Sequence, residues 1–210
     1  MKTAAFAIAA AIAVTGIATA QPQGQPGTAD PSAVAAGTYS TDPAHTLVQW
    51  SVSHFGFNPY WGSFGDVEGT LTIDPANLAD AELDVSIPIG SVAVVSEGLR
   101  DHLLRPGADG GDPDFFGPEP GMARFVSYDV RPTGPTSATI HGRLTMLGET
   151  QNVAIAAQFT GAGANPMNQA QTIGFTGRAR IMRSDFGVNY ALPAISDEVD
   201  LTISAAFERQ

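Results

Sequence analysis

ATIHGRLTMLGETQNVAIAAQF, residues 138–159, alternates between apolar and polar positions on both sides of one short break. Ala138, Ile140, Gly142, Leu144 and Met146 fall on one face, with Thr139, His141, Arg143 and Thr145 on the other. Leu147-Gly148-Glu149 interrupts the pattern, and Val153, Ile155, Ala157 and Phe159 resume it. A period of two puts successive side chains on opposite faces of a strand, so the stretch predicts two half-buried antiparallel strands and a tight turn.

The same period extends in both directions. Upstream lie Val48, Trp50, Val52 and His54, then Val67, Gly69, Leu71 and Ile73, then Leu83, Val85, Ile87 and Ile89. Downstream lie Ile173, Phe175, Gly177, Ala179 and Ile181, then Val199, Leu201, Ile203, Ala205 and Phe207. Eight strands are expected, at roughly 38–55 (broken near Pro43), 60–74, 80–89, 123–132, 136–147, 150–160, 171–183 and 197–208. Several exceed the usual strand length, and closure into a barrel removes the exposed edges that long strands otherwise present. The fold class is therefore all-β, an antiparallel barrel. One segment departs from the period: Ser96 to Leu104 reads as a short helix with Ser96 as N-cap. With the Gly- and Pro-rich loop Pro106 to Gly121, it is expected to cap one end.

The N-terminus reads as an export signal. Lys2 precedes an apolar run from Ala4 to Ile17, and Ala18-Thr19-Ala20 offers a small-x-small cleavage site. Residues 1–20 are thus a signal peptide, 21–36 a flexible leader rich in Pro, Gly and Gln, and 37–210 the β domain. The expected location is periplasmic. No later run is apolar and long enough to span a bilayer as a helix, so stable membrane insertion is not expected.

The chain carries 10 basic and 21 acidic residues, a formal net charge of −11. Such acidity repels phosphate backbones and speaks against nucleic acid as a partner. There is no cysteine, which excludes disulfides, Fe–S clusters and Cys-based zinc sites. The sequence contains no G-x-S-x-G elbow, H-E-x-x-H, P-loop or dinucleotide fingerprint. No catalytic residue, metal or cofactor is assigned, and a binding protein is expected in preference to an enzyme. The oligomeric state stays open, a homodimer being the commonest soluble assembly.

Several short stretches together resemble the YceI-like, polyisoprenoid-binding family of bacterial periplasmic proteins. They are Tyr39 to Thr46, Val52 to Gly56, Trp61 to Phe64, Leu99 to Leu103, Asp112 to Phe116, Arg124 to Ser127, Gly142 to Thr150, Arg183 to Gly187 and Val199 to Phe207. The resemblance covers residues 38–208. It implies an extended, lipocalin-like barrel of eight strands whose interior holds a long-chain isoprenoid, such as a polyprenyl phosphate or a quinone tail, or another amphiphile. Two departures lie at one rim, where Pro106 to Gly111 looks inserted and Gly117 to Ala123 is rich in Pro and Gly.

Candidate ligand-contacting residues follow from the inward register and from this resemblance. Small residues (Gly69, Ala138, Gly142, Ala157, Gly177, Ala179, Ala205) share the apolar faces with Trp50, Phe125, Phe159, Phe175 and Phe207. Small and large residues together can leave a tunnel or interlock into a solid core. Arg183 continues the register of Ile181 and must reach a rim, pair with a carboxylate such as Asp185, or meet an anionic head group. His54 follows Val52 on an apolar face, either as a hydrogen-bonded core histidine or as a ligand contact. Phe186 completes the Arg183 to Gly187 signature. The expected function is periplasmic binding of a polyisoprenoid or quinone-type lipid for transport, storage or stress protection. The alternative is a barrel enzyme or stress protein acting on an amphiphile through His54 and Arg183.

Overall fold

The computed structural model describes residues 24–210; the expected signal peptide, residues 1–20, and the start of the expected leader lie outside the described residues. Ten strands occur in chain order: β1 (Gly37–Thr41), β2 (Leu47–His54), β3 (Asn58–Phe64), β4 (Glu68–Ile73), β5 (Glu82–Pro88), β6 (Met122–Gly134), β7 (Ser137–Met146), β8 (Glu149–Ala164), β9 (Gln171–Met182) and β10 (Glu198–Arg209). The one α-helix among these residues, α1 (Glu97–Leu104), joins β5 to β6 together with a long loop.

All ladders are antiparallel, and they close. The order runs β1-β4-β5-β6-β7-β8-β9-β10, and β10 pairs back with β1. This is the expected eight-stranded barrel. The two extra strands arise from interruptions, one expected and one not. The break near Pro43 divides β1 from β2, and both lie along β10, with Thr41 opposite Phe207 and Leu47 opposite Ser204. A second break, at residues 65–67, divides β3 from β4; there Asp66 adopts φ 53°. The inward parity changes across these residues, from Phe64 to Val67, which both line the same cavity.

The turn within the opening stretch forms as its residues dictate. Met146 pairs with Glu149, and Leu147 and Gly148 both take positive φ. A two-residue turn with both φ positive matches the twist of the flanking strands, and Gly148 adopts that geometry without strain. Ser96 caps α1 by accepting the Leu99 N–H at 3.2 Å. The helix lies over one end of the barrel with Leu103 buried against Trp50, Val92 and Val199. The Leu103 carbonyl accepts the N–H groups of Phe116 and Gly117, which ties the long loop down onto the helix.

Residues 24–36, expected to hang free, pack against the opposite end. β8 outruns β7, whose last partner on it is Gln158 opposite Ser137. Thr28 occupies the vacated edge and exchanges two hydrogen bonds with Ala162, at 3.0 and 2.9 Å. Covering an open edge in this way satisfies backbone groups that pairing with β7 would otherwise have used.

Candidate functional site

The barrel interior is hollow. One cavity of about 140 Å³ lies in the half nearer α1, and a wider one of about 220 Å³ lies in the other half. Leu83, Ile155, Ile203, Ala205 and Phe207 wall both, so the two are compartments of one axial space. Among the described residues, no charged side chain lines either compartment. Apolar cavities of about 150 Å³ stay dry and take up small hydrocarbons, so each compartment is large enough for a segment of an apolar chain.

The hollowness traces to particular residues. Ala138, Ala157 and Gly177 line the wider compartment, Ala179 the narrower one, and Ala205 both. Larger residues there would meet across the barrel, as the interior of an eight-stranded barrel is just wide enough to be filled by side chains. Phe159, Phe175 and Phe207 form an edge-on aromatic series on the wall of the wider compartment, with centroids 5.7 and 6.2 Å apart. Phe125 lines the narrower one. Four residues that sequence reasoning did not single out also face the wider compartment: Pro31, Val34, Pro75 and Leu78. They sit in the leader and in the β4–β5 connection, where no period of two marks an inward face.

Trp50 lies just beyond the narrower compartment. On the β2–β3 ladder the Val48–Phe64 pair lines that compartment, and the Trp50–Gly62 and Val52–Tyr60 pairs follow in turn. Ile181 and Leu201 line the compartment and also pack against the cluster containing Trp50. Gly62 is what admits the indole, because a Cβ there would stand 2.2 Å from Trp50 Cζ2. Trp50 Nε1 and the Tyr60 hydroxyl are both buried without a hydrogen-bond partner, and their rings are 6.5 Å apart. A buried donor left unpaired is costly, and such groups mark places where a partner belongs.

The charged candidates stand elsewhere. β9 ends at Met182, and Arg183 opens a 3-10 turn, Arg183–Phe186, so the inward register stops one residue short of it. Its buried guanidinium donates to three backbone carbonyls: Ser196 from Nε at 2.9 Å, Val188 from Nη1 at 2.9 Å and Ile195 from Nη2 at 3.0 Å. Burial pushes its pKa down, with partial compensation from the Asp197 charge. Of the alternatives for Arg183, a pair with Asp185 does not form: Asp185 is exposed, and the acid that acts on Arg183 is Asp197. Asp197 in turn accepts the Ser184 N–H at 2.8 Å and the Ser184 hydroxyl at 2.6 Å, and its carboxyl is held below the ordinary range mainly by that hydroxyl.

His54, half-buried at the end of β2, lies outside both compartments and packs edge-on against Phe55, centroids 4.5 Å apart. Phe186 is buried in the cluster of Ile89, Leu144 and Val153 and does not line a compartment. Among the described residues no group of three or more His, Cys, Asp or Glu could hold a metal ion. Nor is any helix among them long and apolar enough to cross a membrane.

A closed antiparallel barrel around an uncharged, two-part cavity defines the molecule as a lipocalin-like β-barrel. Its residues 39–207 match the model of the YceI-like domain, and the chain belongs to that family. A UPF0312 protein of Ectopseudomonas mendocina is 32% identical over 167 residues, spanning 79% of this chain and 83% of that protein. Among solved structures, BcnA of Burkholderia cenocepacia superposes with a TM-score of 0.65 at 22% identity, over 79% of this chain and 98% of that one. A polyisoprenoid-binding domain from Saccharophagus degradans superposes with a TM-score of 0.54 at 13% identity, over 82% and 98% of the respective chains. At these identities the two structures establish the shared fold.

Proposed function

We propose that the protein holds a long-chain isoprenoid amphiphile of the polyprenyl or quinone type along the barrel axis, and serves as its carrier or store in the periplasm after export on residues 1–20. The observation that carries this reading is the pair of adjoining apolar compartments with no charge in their walls. Burial of a hydrocarbon tail is worth about 0.8 kcal/mol per CH₂, so a long tail binds there without polar contacts. The polyisoprenoid-binding description of the Saccharophagus degradans domain supports the same ligand class.

The polar end of the ligand is assigned to the α1 end of the barrel. Trp50 Nε1–H and the Tyr60 O–H, the two unpaired buried donors, lie there beside the narrower compartment. Both are neutral, and Arg183 is already committed to backbone carbonyls. A neutral head with acceptor oxygens fits these two donors, and among the described residues no charged side chain lines the narrower compartment beside them. The tail then runs past Phe125 toward Phe159, Phe175 and Phe207.

Mass spectrometry of an organic extract of the protein purified from its natural host tests the reading. A prenyl lipid at about one per protein is expected, as the size of eight-stranded barrels allows for one small ligand. An empty extract, together with no uptake of menaquinone-4 by the delipidated protein, would sink it.

A further inference from the structure

Residues 24–36 precede the family-matched segment, which begins at Tyr39. They nevertheless close part of the barrel. A short 3-10 turn, Pro31–Ala33, is capped by Asp30, whose carboxylate accepts the Ser32 N–H at 2.9 Å. Of residues 24–36 before the final approach to β1, only Pro31 and Val34 are part-buried, and both face the wider compartment. Val34 also packs against the cluster that includes Leu71, Phe159 and Phe207.

The segment is pinned at two places. At its C-terminal side, the Tyr39 hydroxyl donates to the Ala35 carbonyl at 2.7 Å and Arg209 to the Ala36 carbonyl at 3.1 Å. At its N-terminal side the Thr28–Ala162 exchange holds it to β8. Glycines make room there: a Cβ on Gly163 would stand 2.2 Å from the Pro26 carbonyl oxygen. Between these pins the contact with the barrel is two apolar side chains. Segments with few buried contacts and exposed hydrogen bonds open locally at low cost, well below global unfolding.

We propose that residues 24–36 form a strap that belongs to the binding site, supplying Pro31 and Val34 to the wall around the ligand's tail and setting how fast an apolar chain passes that end of the barrel. The inference rests on the lipid-binding reading for its natural occupant. It goes beyond that reading in assigning a binding role to a segment that precedes the family-matched residues 39–207.

The test uses the full mature chain and two neutral probes. Uptake is followed with N-phenyl-1-naphthylamine, a dye that brightens in apolar surroundings, and release with menaquinone-4 passing from the loaded protein to excess phosphatidylcholine vesicles. Two variants loosen the strap by different routes: Pro31→Ser with Val34→Ser removes its apolar anchors, and Gly163→Val displaces Pro26. The first touches no barrel residue, so it keeps the test valid if the second disturbs β8. Both rates are expected to rise about tenfold in each folded variant, as loss of buried apolar contact from a closing segment favours its open form. Wild-type rates in the Pro31/Val34 variant would overturn the strap. A wild type that takes up the dye but no menaquinone-4, and whose organic extract is empty, overturns the lipid reading, while the dye kinetics still decide on the strap.

Discussion

Arg183 donates from Nη1 to the carbonyl of Val188 at 2.9 Å, and through its other nitrogens it gathers the carbonyls of Ile195 and Ser196 as well. One planar cation thereby fixes both ends of the connection from β9 to β10, and Val188 is buried beside it. Removing the guanidinium leaves three carbonyls without donors, each costing about 1–3 kcal/mol if water does not reach it. Arg183→Ala is expected to lower unfolding free energy by about 3 kcal/mol or more, read from urea melts. Arg183→Lys recovers part of this, since an ammonium lacks the planar fork that spans the three acceptors. An Arg whose loss left stability unchanged while weakening lipid binding would belong to the ligand after all.

This residue also shows where sequence reading succeeds and where it stops. Parity identified the inward faces well: Phe125, Phe159, Phe175, Ala157, Ala179 and Ala205 all line the cavities. Parity holds only while the strand lasts, and it assigned Arg183 inward because the end of β9 carries no Gly or Pro to announce it. Whether the core is filled or hollow depends on distances across the barrel, which no local pattern encodes. The Trp50–Gly62 contact joins two strands whose register is set by the hairpin between them, so its orphaned indole N–H appears only once the ladder is built. The strap had no legible signal because its two inward residues, Pro31 and Val34, stand in a segment whose composition reads as linker.

Head-group preference follows from the two unpaired donors. Menaquinone-4 and geranylgeranyl phosphate have prenyl tails of equal length and differ at the head, so their affinities isolate the polar end. The quinone is expected to bind more tightly to the delipidated wild type. Trp50→Phe and Tyr60→Phe each remove one donor and are expected to cut quinone affinity about fivefold, the worth of one neutral hydrogen bond near 1 kcal/mol. Binding of squalene, which has no head group, should be unchanged in both. Equal losses for quinone and squalene would show that the substitutions act on packing alone.

Ala205 stands where the compartments meet, opposite Phe175 on the neighbouring strand. A phenyl ring at that position would occupy the junction. Ala205→Phe is therefore expected to block ligands that need both compartments while sparing those that fit one. Titration calorimetry with a series of prenyl alcohols of rising length checks this. Affinity for wild type should climb with tail length, and the variant's should level off early. Because the residue fills existing space, stability should change by less than the roughly 1–3 kcal/mol typical of overpacking a solid core. A large loss of stability would mean the junction is narrower than the cavities indicate.

The capped end should be acid-sensitive. Asp114 accepts hydrogen bonds from Arg105 and His102, both at 2.7 Å, and these hold its carboxyl below the ordinary range, Arg105 most strongly. Asp197 is lowered likewise, chiefly by the Ser184 hydroxyl. A carboxyl whose folded pKa lies below its unfolded value stabilises the fold above the unfolded pKa, about 3.9 for Asp. That contribution shrinks once pH falls below the unfolded value and is gone below the folded one. Both groups act at the same end: Asp114 joins the long loop to α1, and Asp197 joins the 3-10 turn after β9 to the start of β10. Lowering the pH from 5 toward 2 should therefore loosen this end, where two such carboxyls act, and also weaken the cap of the strap's 3-10 turn, where hydrogen bonding from Ser32 holds the Asp30 carboxyl below the ordinary range. Amide exchange at Phe116 and Gly117 should rise before exchange at Ala162, where no carboxylate takes part in the strap's bridge. Asp197→Asn should be less stable than wild type at neutral pH, with the gap narrowing as pH falls below 4, because the wild-type carboxylate is then lost as well. A gap that persisted undiminished at pH 2 would show that the asparagine harms the turn by its geometry and not by its missing charge.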